Sequence, residues 1–307
     1  MAGSIPGSDF AEGTAGLSSP ASAPVRAKRW RRLRRLARAR LAPFGAAVML
    51  LAVLAALAAP LLAPYDPLSQ NLGNTLARPG RAHLLGTDNV GRDVLSRVIW
   101  GTRVSLVAGL VSVALAMVAG SLLGILAGYC GGRVDGLAMR LMDAVLSFPP
   151  LVLALALGAV LGAGLGGVLV ALGVVYTPTF ARLMRGQVLS VTARDYVDAA
   201  RALGASGWRV AWRHVVPNAM NPIIVQASLS VAFAILAEAS LSFLGLGIQP
   251  PTPSWGGMVS EGRDYVSSAW WLSAAPGLAI VVTVLGANLF GDALRRALDP
   301  RLRGVGH

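Results

Sequence analysis

The run from Ala144 to Ala181, AVLSFPPLVLALALGAVLGAGLGGVLVALGVVYTPTFA, carries no charged residue over its 38 positions. As a single helix it would be about 57 Å long, at 1.5 Å per residue. The hydrocarbon core of a bilayer is only about 30 Å thick. The run therefore predicts two membrane-crossing helices, divided at Gly162-Ala163-Gly164-Leu165-Gly166-Gly167. Outward from it lie the uncharged stretches Phe44–Pro64 and Val104–Gly132, then apolar segments at roughly 219–246 and 270–292. The expected fold is all-α: a polytopic membrane protein with six transmembrane helices.

Composition agrees. Of the 307 residues 55% are hydrophobic and 13% charged, about half the charge of an ordinary soluble domain. With one cysteine, Cys130, an intrachain disulfide framework is excluded. The net charge of +13 could suggest nucleic-acid binding, but the basic residues sit between long apolar runs, where basic loops of a membrane protein account for them. No nucleic-acid partner is expected.

Charge placement tests the helix count. Six spans with the N-terminus inside put 21 of the 27 basic residues in the cytoplasm. One long span in the middle would leave 12 inside and 15 outside. Basic residues concentrate on the cytoplasmic side, so both termini are expected there. Residues 1–43 then form a flexible basic tail, rich in Gly, Ser, Ala and Pro before the cluster Arg26 to Arg40, which suits anionic lipid as well as orientation. More than 40 residues precede the first apolar run, too many for a signal peptide, so that run reads as an uncleaved span. The six-span transmembrane core is expected over 44–293, with an external loop at 65–103, a charged cytoplasmic loop at 185–218 and a tail at 294–307.

Small residues recur every fourth position in the second span: Ala108, Ser112, Ala116, Gly120, Gly124, Gly128. This spacing predicts a face that another helix backbone approaches closely. In the external loop, Gly86 to Gly91 has glycine spacing like a phosphate loop, but Arg92-Asp93 stands where Lys and Ser/Thr are required. His83, Asp88 and Asp93 read better as members of an ion-paired loop than as a metal site. Asp143 is expected to pair with Arg140 at i−3. Glu238, inside the fifth span, is either a pore or gate residue or a hydrogen-bonded packing residue; Ser240 and Ser242 nearby favour the second. No Ser/His/Asp spacing suggests a nucleophile, and no catalytic residue is assigned.

The loop 185–218 is the most informative. Thr192-Ala193-Arg194-Asp195 reads as a capping box, followed by a short helix through Leu203. Gly204 stands where a left-handed residue ends a helix. Ser206 caps a second helix, which Pro217 is expected to stop. Trp208, Trp212 and Val215 share a face at helical spacing. Such a helix–turn–helix either packs on its own bundle or inserts into a groove of a soluble partner.

Asp198-Ala199-Ala200, then Gly204 after three residues, then His214-Val215-Val216-Pro217 after nine, resembles the EAA loop of membrane subunits of bacterial binding-protein-dependent ABC importers. Asp198 replaces the usual Glu, and His214 stands where the general pattern has an aliphatic residue. Arg213-His214-Val215-Val216-Pro217-Asn218 resembles the oligopeptide/dipeptide branch, as do His83 to Arg97, Gly131 to Asp143 with Phe148-Pro149, and Glu238 to Gly247 with Pro253-Ser254-Trp255-Gly256. The match covers about residues 40–303, and the long first external loop resembles the C-type member of the permease pair.

The resemblance implies a pore-forming subunit of an ATP-driven importer in the bacterial cytoplasmic membrane, for di- or oligopeptides first, with nickel chelates or sugars as alternatives in the same family. It implies a heterodimer with a homologous permease, one or two ABC ATPase subunits and an extracytoplasmic substrate-binding protein. No cofactor is expected in this chain; ATP and Mg would be bound by the ATPase subunits. Asp198, Ala199, Ala200, Gly204, Arg213, His214 and Pro217 would form the ATPase-coupling loop that drives alternating access. An autonomous ion-driven carrier is the reading from another class; such carriers need several acids or histidines at mid-membrane, and only Glu238 qualifies.

Overall fold

Helix boundaries follow capping and breaking residues along the chain. The computed structural model describes residues 43–298; the basic cluster Arg26 to Arg40 and most of the expected C-terminal tail lie outside the described residues. The first helix, α1, covers Pro43–Leu57, and a single turn, α2, covers Ala59–Leu62 with Pro60 at its start. After a turn-rich loop, the Asp93 carboxylate accepts from Ser96 N at 2.8 Å and starts α3, Val94–Cys130. This cap opens the helix ten residues before the expected span, so residues 94–103 belong to it rather than to the loop.

Next come α4, Gly132–Leu146, and α5, Pro150–Leu161, bent by 92° to each other. The break falls at Ser147-Phe148-Pro149, because a residue preceding proline is pushed out of the α region while Pro150 suits a first helical position. The anticipated second break also occurs. Gly162 and Gly164 take φ of +87° and +130°, and α6, Leu165–Thr192, follows. Beyond it lie α7, Asp195–Ala202, and α8, Gly207–Val210, the latter running through a π turn at Ala211–Val215 into α9, Val216–Phe243. Finally α10 is Trp255–Gly262 and α11 is Trp271–Leu298.

The chain is all-α, as expected, and among the described residues four to five of the six expected spans have a span's length and composition. Four described helices are long and apolar enough to cross a membrane: α3, α6, the continuous helix Gly207–Phe243, and α11; the bent pair α4–α5 makes a fifth if it acts as one span. Alone, α5 has 12 residues, about 18 Å. The first apolar run is helical from Pro43, the first described residue, to Leu57, and Pro60 interrupts its extension beyond that end. The six apolar segments occur in the expected order.

The small-residue stripe is the packing face anticipated. Ala108, Ser112, Ala116, Gly120, Gly124 and Gly128 are all buried. An added Cβ at Gly120 would stand 2.5 Å from Thr177 O, and one at Gly124 would stand 2.5 Å from Ala181 O and 2.7 Å from Met184 Cβ. Thus α3 and α6 meet backbone to backbone, where van der Waals contact replaces the missing hydrophobic drive. Similarly, α1 lies on α11, since a Cβ at Gly286 would meet Val48 Cγ1 at 2.4 Å. Gly124→Val is expected to force α3 from α6 and lower the thermal midpoint of the purified protein in detergent, an overpacking cost of about 1–3 kcal/mol. Gly136→Ala, whose Cβ meets nothing within 4 Å, should leave the midpoint unchanged or slightly raised; equal effects would sink the close-contact argument.

Candidate functional site

Three clusters of polar or exposed apolar residues stand out: the segment between α6 and α9, the loop against α10, and the C-terminal part of α9.

The first is the expected coupling loop. Its part outside the long helices is shorter than 185–218, since 185–192 complete α6 and the residues from Gly207 onward run into α9. Asp195 and Asp198 occupy the first turn of α7 and Arg201 its last, which suits the helix dipole. Arg201 Nη1 donates to Asp198 Oδ1 at 3.1 Å, with both side chains exposed. At the other end Ala205 N donates to the carbonyl of Ala200 at 3.1 Å and Gly204 N to that of Arg201 at 2.9 Å. Gly204 takes φ +82°, as anticipated, and closes the turn. Ser206 Oγ then accepts from Arg209 N at 3.4 Å and caps α8 as expected.

Three details differ from the sequence reading. Thr192 makes no capping box: its hydroxyl donates back to the carbonyls of Val188 and Leu189 inside α6, and α7 starts after an extended Arg194 that lends no side-chain cap. Threonine back-bonding competes with capping. Pro217 does not stop the second helix. The turn before it widens, with Val216 N donating to Ala211 O, while Asn218 Nδ2 donates to His214 O at 2.7 Å; a π turn absorbs the missing proline donor. Consequently Trp208, Trp212 and Val215 do not share a face. Val215 is buried with Val197 and Val210 in the main core, whereas Trp208 (75% exposed) and Trp212 point outward with ring centroids 5.3 Å apart.

The element is therefore two-sided. Its inner side joins Met184, Val188 and Val191 of α6 and Ile223 of α9, and Tyr129 at the end of α3 donates its hydroxyl to Gly207 O at 2.6 Å. Its outer side presents Tyr196, Leu203 (89% exposed), Trp208 and Trp212. Asp198, Ala199, Gly204, Arg213 and Pro217 are exposed, and Ala200 and His214 half-buried. Leu203 and Tyr129 were not singled out by sequence reasoning; Leu203 was legible as an apolar residue just before the turn glycine, whereas the Tyr129 bond spans 78 positions.

The second cluster confirms the ion-paired loop. Asp88 Oδ2 accepts from Arg92 Nε at 2.6 Å and Arg97 Nη1 at 2.9 Å. Both arginines also reach Glu261 of α10 at 3.0 Å. His83 Nδ1 lies 2.9 Å from Asp93 Oδ1. Burial pushes the Glu261 carboxyl up, Arg92 pulls it down, and the charge of Asp88 adds to the rise. Glu261 went unnoticed in the sequence, since its partners lie more than 160 positions away.

The third is Glu238, fully buried. Ser105 Oγ of α3 donates to its Oε2 at 3.0 Å and Ser242 Oγ to its Oε1 at 2.8 Å. Ser242 Oγ also accepts from Ile248 N at 3.1 Å. Ser240 instead donates to the carbonyl of Leu236. Glu238 thus ties α3, α9 and the loop before α10. Asp143 pairs not with Arg140 but with Arg182 across to α6, because α4 turns its acids toward that helix.

Comparison with known proteins gives a consistent result. The family model of the binding-protein-dependent transport system inner membrane component matches residues 120–304, and that of the N-terminal TM domain of oligopeptide transport permease C matches 28–79. The chain is 50% identical over 267 residues to the di/tripeptide transport system permease protein DppC of Pseudomonas aeruginosa (strain UCBPP-PA14), covering 85% of this chain and 88% of that protein. It is 48% identical over 259 residues to a protein of Escherichia coli (strain K12) named Probable D,D-dipeptide transport system permease protein DdpC, covering 84% and 87%. Among solved structures, an inward-facing conformation of the MetNI methionine ABC transporter matches with a TM-score of 0.55 at 18% identity, covering 66% of this chain and 96% of that one.

Proposed function

Since the chain belongs to the family of inner-membrane components of binding-protein-dependent transport systems, we propose that it forms half of the translocation path of an ATP-driven peptide importer. It is a multi-pass protein of the inner membrane and a transport subunit, with ATP hydrolysis carried out by a separate subunit. Peptide as the substrate rests on the names of its relatives, two of which are named for di- or tripeptide transport. Both termini lie in the cytoplasm, by the distribution of basic residues, and α7–α8 then faces the cytoplasm. A homologous permease completes the path, ABC ATPases holding ATP and Mg supply the motion, and an extracytoplasmic binding protein delivers substrate.

The observation that carries the coupling role is the two-sided helix–turn–helix. Its inner side is fastened to α3, α6 and α9, and its outer side leaves Leu203 and the Trp208–Trp212 pair exposed among the described residues. Exposed aromatic anchors of this kind favour a pocketed protein partner. Asp198, Ala199, Ala200 and Gly204 shape the outward turn, and Arg213, His214 and Pro217 line the junction with α9. When ATP closes the ATPase pair, this element moves with it and opens the path outward; hydrolysis resets it. Glu238, with both carboxylate oxygens taken by serines, serves here as a packing residue of the helix bundle.

Gentle detergent extraction of the native complex, followed by mass spectrometry, tests the reading. A second permease and one or two ATPases with Walker motifs are expected to accompany this chain, and Trp208→Ala should weaken the ATPase association at least tenfold while leaving the permease pair intact. Recovery of the chain alone, under conditions that keep other importers whole, would favour an autonomous carrier.

A further inference from the structure

The least explained helix of the bundle is α4. Its residues divide among three faces, 100° of helical turn apart per residue. One face turns to the protein: Met142 is buried, and Asp135 accepts from Arg185 Nη2 of α6 at 2.6 Å. A second face is apolar and open, with Val134, Leu137 (74% exposed) and Leu141 along one stripe. The third is polar and carries Arg133 and Arg140, seven residues apart and both exposed. Among the described residues neither makes an ion pair, whereas both acids of α4 are neutralised by arginines of α6.

Depth and direction are set independently. Arg182 and Arg185 are the first charges after the uncharged run 144–181, so on α6 they mark where the apolar zone gives way to polar surroundings. Their ion pairs with Asp143 and Asp135 fasten α4 at that level. The uncharged α5 leaves it at 92°; where α5 enters the bilayer, α4 lies along its surface. A helix with water on one side, protein on another and an open apolar stripe between them fits the boundary between headgroups and acyl chains.

We propose that α4 is an interfacial helix that binds the anionic phospholipid surface. Val134, Leu137 and Leu141 sink into the acyl boundary, and Arg133 and Arg140 contact headgroup phosphates. The occupant is lipid rather than protein because the two unpaired cations flank the apolar stripe on its polar edge, where headgroup phosphates lie. Each arginine near an anionic surface strengthens binding about fivefold.

The test uses the importer complex purified with its partner chains and reconstituted in phosphatidylcholine bilayers containing phosphatidylglycerol. A spin label is placed at Leu137→Cys, and separately at Leu141→Cys, in a Cys130→Ser background. Both positions are exposed, so the substitutions leave the fold in place. The expected result is strong relaxation by oxygen and weak relaxation by a water-soluble nickel chelate. Strong relaxation by nickel would put the stripe in water, and protection from both reagents would mean that a second protein chain covers it; either overturns the proposal. In parallel, Arg133→Gln/Arg140→Gln should reduce phosphatidylglycerol retained by the complex in native mass spectrometry several-fold, with phosphatidylcholine unchanged. Unaltered retention overturns the headgroup contact.

Discussion

Gly204→Val is expected to leave the protein in the membrane, with a near-normal thermal midpoint, and to abolish substrate uptake. At φ +82° a β-branched side chain is forced against its own backbone, at a cost of about 2 kcal/mol. An added Cβ there meets nothing within 4 Å, so the penalty is confined to the turn and does not spread into the bundle. Since 1.4 kcal/mol is a factor of ten, about 2 kcal/mol shifts the turn between its native and opened forms roughly thirtyfold. The direction of Leu203 and Trp208 relative to the anchored Val197 and Val210 is then lost. ATP hydrolysis by the assembled complex should continue while peptide accumulation falls at least tenfold. Gly204→Asn provides the control, because asparagine tolerates left-handed backbone and should restore uptake. Normal uptake by the valine variant would remove the turn from the coupling path.

Arg97→Ala should produce the largest loss of stability. The Arg97 side chain is 2% exposed and is shared between Asp88 and Glu261. Without it two carboxylates face the single guanidinium of Arg92 in a buried site. Breaking a buried pair by removing one partner costs about 3–5 kcal/mol, because the other charge stays uncompensated. The thermal midpoint in detergent should drop sharply. Arg97→Lys should fall between, since an ammonium lacks the fork that reaches both acids. Arg263→Ala removes an exposed pair with Asp264 and should change little. Similar small shifts for Arg97→Ala and Arg263→Ala would mean that the network is open to water.

What could be read from the sequence was what depends on near neighbours or on sheer absence of charge. The apolar runs, the glycine break at 162–164, the stripe from Ala108 to Gly128 and the left-handed Gly204 each declare themselves over a few residues. Less legible were features fixed by distant partners. Thr192 has the spelling of a cap, yet α6 holds its hydroxyl. Pro217 has the spelling of a stop, yet a five-residue turn admits it, and that extra residue rotates Trp212 away from Val215. Glu261 has no local signature; its role comes from two arginines brought to it by the fold. Of the seven positions the sequence reading assigns to a coupling loop, Asp198 to Ala200 lie in α7 and Gly204 in the turn after it, while Arg213, His214 and Pro217 sit where that element joins the spanning helix.

The π turn has a mechanical consequence. Because the chain does not break at Pro217, the exposed tryptophans and Glu238 ride on one rod of 37 residues, about 55 Å long. A tilt of about ten degrees about the Trp208 end corresponds to roughly 8 Å at the level of Glu238, about 45 Å away along the axis, where the bond from Ser105 makes α3 share the motion. A continuous helix transmits such displacement, and the widened turn together with Pro217 and Pro222 places its compliance near the Trp208 end. On the proposed coupling role, the gearing between a small stroke at the Trp208 end and the displacement at the other end follows from helix length and from the two prolines near the driven end.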